Sequence, residues 1–149
     1  PNMPAFSTSF SSVAETSGSE NTNVLLVEDD FIAGTIAQNF LETAGFQVTL
    51  AKDGESAFKA AKSGKFALII SDIGLPGMSG NEWTAAYRYW EFISNVLPVP
   101  IIGLTAHVTD KMKDDCLAAG MNDVMAKPLN SEVAEKLFQQ TFSAKEVLV

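Results

Sequence analysis

The sequence predicts a doubly wound α/β domain, a five-stranded parallel sheet with five helices packed on its two faces. Three observations lead there. From Val24 onward, five short apolar runs of strand length alternate with five stretches of helical period. The three central runs are apolar throughout, as strands covered on both faces must be. Strand followed by helix, repeated in this way, requires right-handed crossovers and hence a parallel sheet.

The elements follow in order. "VLLV" (Val24 to Val27) is the first strand, and Ile32, Ile36, Phe40 and Leu41 repeat at helical spacing behind it, with Gly45 as the stop. "QVTLA" (Gln47 to Ala51) is the second strand. Asp53 then caps a helix whose apolar side holds Ala57, Phe58 and Ala61 before Gly64 ends it. "ALIIS" (Ala67 to Ser71) is the third strand, followed by a helix from near Asn81 with Trp83, Tyr87 and Trp90 at i, i+4 and i+7. "PIIGLT" (Pro100 to Thr105) precedes a helix over Asp110 to Ala119 that stops at Gly120. "DVMA" (Asp123 to Ala126) precedes a last helix after Asn130, with Val133, Leu137 and Phe138 inward.

The chain has 149 residues, enough for one domain with a substantial core and tails. Residues 1–23 are rich in Ser, Thr and Asn without a periodic apolar face and read as a flexible linker. The domain is expected over residues 24–143 and a C-terminal tail over 144–149.

A hydrophobic fraction of 46% with 19% charged residues fits a folded, soluble protein, and the apolar runs fall far short of a membrane span. No basic segment followed by an apolar stretch, as a secretory signal requires, opens the sequence. The single cysteine, Cys116, cannot form an internal disulfide, which suits a reducing compartment and a cytoplasmic location. A net charge of −8 argues against direct nucleic-acid binding, which needs clustered Lys and Arg.

In an open α/β sheet the ligand crevice lies at the carboxyl ends of the strands. The first strand ends in "VEDD", giving Glu28, Asp29 and Asp30; the third runs into Asp72; the fourth ends at Thr105; the fifth leads to Lys127 and Pro128. Taken singly, each has a plain structural reading: Asp30 as a helix cap, Lys127 as a surface lysine, Thr105 as a strand-end hydroxyl bonded to backbone. Together they are harder to dismiss. Carboxylates about 4 Å apart repel by roughly 4 kcal/mol per pair at an effective dielectric near 20, and a hard divalent cation relieves that repulsion. Glu28, Asp29 and Asp72 suit Mg²⁺, with Mn²⁺ as an alternative.

The patterns "LLVEDD", "IISDIGLPGMSG", "IIGLTAH" and "DVMAKPL" closely resemble the receiver domain of two-component signalling proteins, over about 120 residues from Val24 to Phe142. The resemblance implies a flavodoxin-like fold with Asp72 as phosphoacceptor. Glu28 and Asp29 would bind Mg²⁺ directly or through water, with the backbone carbonyl of Gly74 completing the protein ligands. It further implies that Thr105 hydrogen-bonds a phosphoryl oxygen, that Lys127 pairs with the phosphoryl group, and that the Lys127–Pro128 bond is cis. Phosphoryl transfer and dephosphorylation in such domains are self-catalysed, and the donor is a phosphohistidine on a histidine kinase or histidine phosphotransfer domain.

"PGMSGNEWTAAYR" and "AGMNDVMAKPL" look like receivers attached to hybrid sensor histidine kinases. That placement implies a parent chain with kinase activity, a cytoplasmic domain without membrane contact of its own, and room for an inner-membrane anchor elsewhere in the parent. A stand-alone single-domain response regulator and a receiver-like interaction module that no longer takes phosphate are the rival readings. Oligomeric state is open. "GLPGMSG" lacks the Gly-Lys-Ser/Thr ending of a nucleotide loop. A dehalogenase-type phosphatase would need a second Asp where Gly74 stands.

Some positions depart from the family pattern. Val124 stands where an aromatic residue usually rotates with the Thr. Gly74 and His107 are expected to influence the phosphoryl lifetime. His107 as a phosphodonor and Cys116 as a redox centre are weaker readings than an ordinary polar residue and a small buried hydrophobe. Trp83 and Tyr87 are expected in the core, and Tyr89, Trp90 and Phe92 are expected to pack against core and loop rather than face a partner.

Overall fold

The computed structural model describes residues 21–147. Five strands, β1 (Asn23–Val27), β2 (Gln47–Ala51), β3 (Leu68–Asp72), β4 (Ile101–Thr105) and β5 (Asp123–Ala126), alternate with helices α1 (Phe31–Ala44), α2 (Gly54–Ala61), α3 (Gly80–Ser94), α4 (Asp110–Ala119) and α5 (Ser131–Val147). All neighbouring strands are parallel, in the order β2-β1-β3-β4-β5. The chain steps outward from β1 to β2 and then returns past β1 to β3. The winding therefore reverses between β1 and β3, which places a crevice at their carboxyl ends.

Both faces of the sheet are buried, and the strands divide their side chains between them by the two-residue period. Leu25, Val27, Ile69 and Ile101 point into one cluster with Ala57, Trp83, Tyr87 and Cys116. Val24, Leu26, Leu68, Ile70 and Leu104 point into the other, with Leu41, Ala134 and Leu137. This is why the central strands read as continuous apolar runs.

The predicted caps are in place. Asp30 accepts hydrogen bonds from the N–H groups of Ile32 and Ala33, and Asp53 accepts one from Ser56. Gly45 and Gly120 end α1 and α4 at φ 122° and 112°, a region that glycine adopts without a Cβ penalty. Ser79 and Glu82 form a reciprocal capping box at the start of α3. That "S-x-x-E" signal was legible in "SGNE", one residue ahead of the start expected near Asn81.

Two expectations fail. Ile32 and Ile36 were expected to face inward, yet they are 69% and 51% exposed. α1 instead presents Gly34, Ala37 and Leu41 to the sheet. A Cβ on Gly34 would lie in van der Waals contact with Leu50 at 3.4 Å, so α1 packs close to β2 on the side that carries its small residues. Likewise Tyr89 and Phe92 are 66% and 82% exposed rather than packed against core or loop. The buried side of α3 is taken by Trp83, Thr84, Tyr87 and Glu91, while Trp90 is half-buried and stacks on Tyr87.

β1 begins at Asn23, one residue before the boundary expected at Val24. The rest of the expected linker, residues 1–20, lies outside the described residues, as do residues 148 and 149 of the expected tail. Among the described residues no helix is long and apolar enough to cross a membrane.

Candidate functional site

The crevice between the ends of β1 and β3 gathers the residues that sequence singled out. Glu28 follows β1 directly and is held by its own N–H donating to the Ala51 carbonyl at 2.9 Å. Asp72 is the last residue of β3, and both side chains are more than nine-tenths buried. Asp29, next to Glu28, is exposed. One carboxylate oxygen from each of Glu28, Asp29 and Asp72 lies within 4.8 Å of the others.

Lys127 reaches this group from the loop after β5. Its Nζ lies 2.9 Å from Asp72 Oδ2 and 3.2 Å from Glu28 Oε1, bridging two strands that are far apart in sequence. Its own N–H donates to the Thr105 carbonyl at 2.8 Å, and the Lys127–Pro128 bond is cis, as expected. The remaining oxygens are also engaged. Glu28 Oε2 accepts from the Asp30 N–H at 3.2 Å, and Asp72 Oδ1 accepts from the Gly74 N–H at 3.2 Å.

The electrostatics follow from this packing. Burial raises the Glu28 carboxyl above its ordinary value; the Asp30 N–H and Lys127 work against that, and the Asp72 charge adds to it. For Lys127 burial by itself lowers the pKa, but its hydrogen bond to Asp72 and the charges of Asp72 and Glu28 outweigh burial and raise it. Three carboxylates facing one ammonium leave an uncompensated negative charge in a confined space. Hard oxygen donors in that arrangement fit a small divalent cation.

Thr105 and Gly74 lie on the same rim but make different contacts. The Thr105 hydroxyl donates to the His107 carbonyl at 3.3 Å and accepts from the His107 N–H at 3.4 Å, so its hydrogen bonds go to the β4–α4 turn and not to Asp72. A Cβ on Gly74 would meet nothing within 4 Å, so the space beside Asp72 is open. His107 is exposed, Val124 is buried in the core, and Cys116, on α4, is buried in the same core cluster. Asp30 serves as the α1 cap.

Sequence reasoning missed what lies behind Asp72. The Ser71 hydroxyl donates to its carbonyl, Trp83 from α3 donates to that hydroxyl, and Gly80 at the start of α3 lies against the same carbonyl. "SD" and the capping box mark where α3 begins, but nothing in the spacing reveals that its first turn abuts this peptide.

Fold and rim together define a flavodoxin-like domain with an acidic strand-end site. The family described as response regulator receiver domain matches residues 24–139, and the chain belongs to it. The sensor histidine kinase GacS of Pseudomonas protegens is 35% identical over 116 residues, 78% of this chain and 13% of its own length. The chain thus spans about an eighth of that relative. Among solved structures, the receiver domain of sensor histidine kinase PA1611 from Pseudomonas aeruginosa, which has a magnesium ion coordinated in its active site cleft, is 33% identical at a TM-score of 0.71, covering 83% of this chain and 99% of that one. The receiver domain of Ssk1 from Saccharomyces cerevisiae, solved with the histidine phosphotransfer protein Ypd1, is similar at a TM-score of 0.78 and 32% identity, covering 84% of this chain and 91% of that one.

Proposed function

We propose that this chain accepts a phosphoryl group on Asp72 from a phosphohistidine in a Mg²⁺-dependent phosphorelay. The observation that carries the reading is the position of Lys127, whose ammonium spans Asp72 and Glu28 while Asp29 completes a three-carboxylate group. A receiver-like module that only binds partners has no use for a partly buried, mutually repelling cluster served by Lys127.

In this reading an Asp72 carboxylate oxygen attacks the phosphorus in line. The N–P bond of the donor breaks, its electron pair returns to the imidazole, and an acyl phosphate forms. A divalent cation held by Glu28, Asp29, Asp72 and the Gly74 carbonyl would supply charge neutralisation to the phosphoryl oxygens. Lys127 neutralises a further oxygen, and the Gly74 N–H keeps the Asp72 carboxylate oriented toward the open side. Once charge arrives, the Thr105 hydroxyl can exchange its two long bonds to His107 for one to a phosphoryl oxygen.

Partner docking has support beside the site. Phe31 opens α1 two residues after Asp29, and with Ile32 and Ile36 it leaves an exposed apolar strip next to the rim. A histidine-bearing helical partner fits such a strip. The similarity to hybrid kinases supports a place in a parent kinase, with a linker before the domain and a cytoplasmic location; α5 carries the domain through Val147, past the boundary expected at 143.

The experiment is incubation with Mg²⁺ and acetyl phosphate, with Asp72→Asn as control. An acid-stable, base-labile adduct is expected in the natural chain and none in the variant. No adduct in either would favour the interaction module, the reading that Val124 supports.

A further inference from the structure

Asp72 is held from behind by a buried hydrogen-bond chain. The Trp83 indole N–H donates to Ser71 Oγ at 3.0 Å, and the Ser71 hydroxyl donates to the Asp72 carbonyl at 2.9 Å. Both side chains are fully buried. The polarity of the chain is fixed by chemistry. An indole nitrogen only donates, so Ser71 Oγ must accept from it, and its single proton is left for the carbonyl.

A second contact reaches the same carbonyl independently. Gly80, the first residue of α3, is so close that a Cβ there would lie 2.5 Å from the Asp72 carbonyl oxygen and 2.8 Å from Ile73 Cα. Its N–H donates to the Ile73 carbonyl at 2.9 Å. The first turn of α3 therefore braces two successive peptides: Asp72–Ile73 through the Trp83–Ser71 relay and the Gly80 steric contact, and Ile73–Gly74 through the Gly80 N–H. Those peptides set where the Asp72 carboxylate and the Gly74 backbone point. A Phe at 83 and an Ala at 71 would fill much of the same space without the two side-chain hydrogen bonds.

We infer that Trp83 and Ser71, with the bare Cα of Gly80, are positioning residues for phosphoryl acceptance by Asp72. The inference rests on the proposed function above. Without the relay the Asp72 carbonyl loses its side-chain donor, and the peptide is held only by the Ile73 N–H bond to the Leu104 carbonyl and by Gly80; displacements of about an ångström at a reacting centre cost up to about a hundredfold in rate.

The test uses the full 149-residue chain. Adduct formation from acetyl phosphate is followed against donor concentration for Ser71→Ala, Trp83→Phe and the double variant, with melting temperature and Mg²⁺ affinity measured on each. Each single variant is expected to lose about tenfold in the maximal rate, with the donor concentration at half rate shifting less than about threefold. The double variant should be no slower than Ser71→Ala, because one relay is broken in both. It should also be more stable than Ser71→Ala, which leaves a buried indole N–H unpaired. A merely structural pair reproduces the stability pattern with unchanged rates. Rates within twofold of the natural chain in the folded variants overturn the inference.

Should a variant melt below the assay temperature, the indole N–H resonance of Trp83 in the natural chain decides. It should shift by more than its linewidth when Asp72 is loaded with beryllofluoride and Mg²⁺; a fixed resonance overturns the inference. If the natural chain itself forms no Asp72 adduct, the function reading falls. The relay then stands or falls on whether Trp83→Phe weakens Mg²⁺ binding at least threefold.

Discussion

Neutralising Asp29 should stabilise the metal-free protein and destabilise the metal-loaded one. One oxygen of Asp29 lies within 4.8 Å of oxygens on Glu28 and Asp72, where a pair of like charges repels by about 0.9 kcal/mol in water and about 3.5 kcal/mol at an effective dielectric of 20. Asp29 is exposed, so the water end of that range governs. Two repulsions less the attraction of Lys127 leave about 1 kcal/mol, which in a domain of this size is about 3–6 °C in Tm. Asp29→Asn is therefore expected to melt higher than the natural chain in EDTA.

With Mg²⁺ at about a hundred times its Kd the natural chain gains about 2.7 kcal/mol, while the variant, short of one charged ligand, gains little. The order of melting temperatures should invert. Thermal melts of both proteins with EDTA and across a Mg²⁺ series read this directly. A variant that melts lower without metal, or one that responds to Mg²⁺ like the natural chain, would refute the claim that the cluster is strained and metal-directed.

Two further outcomes follow from the same packing. Glu28 has its folded pKa raised above 4.5, so its contribution to stability is fully present below that value and is lost as pH rises through the folded pKa. Metal-free urea unfolding over that window should show stability falling with pH, and Glu28→Gln should flatten this part of the profile; an equal slope in the variant removes the argument. Thr84 is fully buried and its hydroxyl has no hydrogen-bond partner among the described residues, so Thr84→Val should raise stability by about 1 kcal/mol, seen as a Tm about 3–6 °C higher; a lower Tm would mean the hydroxyl is satisfied.

The strands, the caps and the strand-end residues were legible in the sequence because each depends on residue type and local period. An apolar run of four to six residues bounded by turn residues reads as a buried strand in an alternating chain, and a carboxylate at its end falls on the rim. Asp30, Asp53, Gly45 and Gly120 cap helices by contacts within a few residues of themselves.

Other features needed three dimensions. The rotation of α1 about its axis turns Gly34, Ala37 and Leu41 to the sheet, whereas periodicity alone favoured the larger Ile32 and Ile36. Glu91, buried in α3, is neutralised by Arg88 at 2.8 Å, and Arg88 in turn reaches the Gly120 carbonyl and Asn122 across to the end of α4. Lys127 meets Asp72 across 55 positions of sequence, and Trp83 meets Ser71 across 12. Composition and spacing specify what each segment becomes. Which side chains then touch depends on helix rotation and inter-element distance, and these are settled only when the whole core packs.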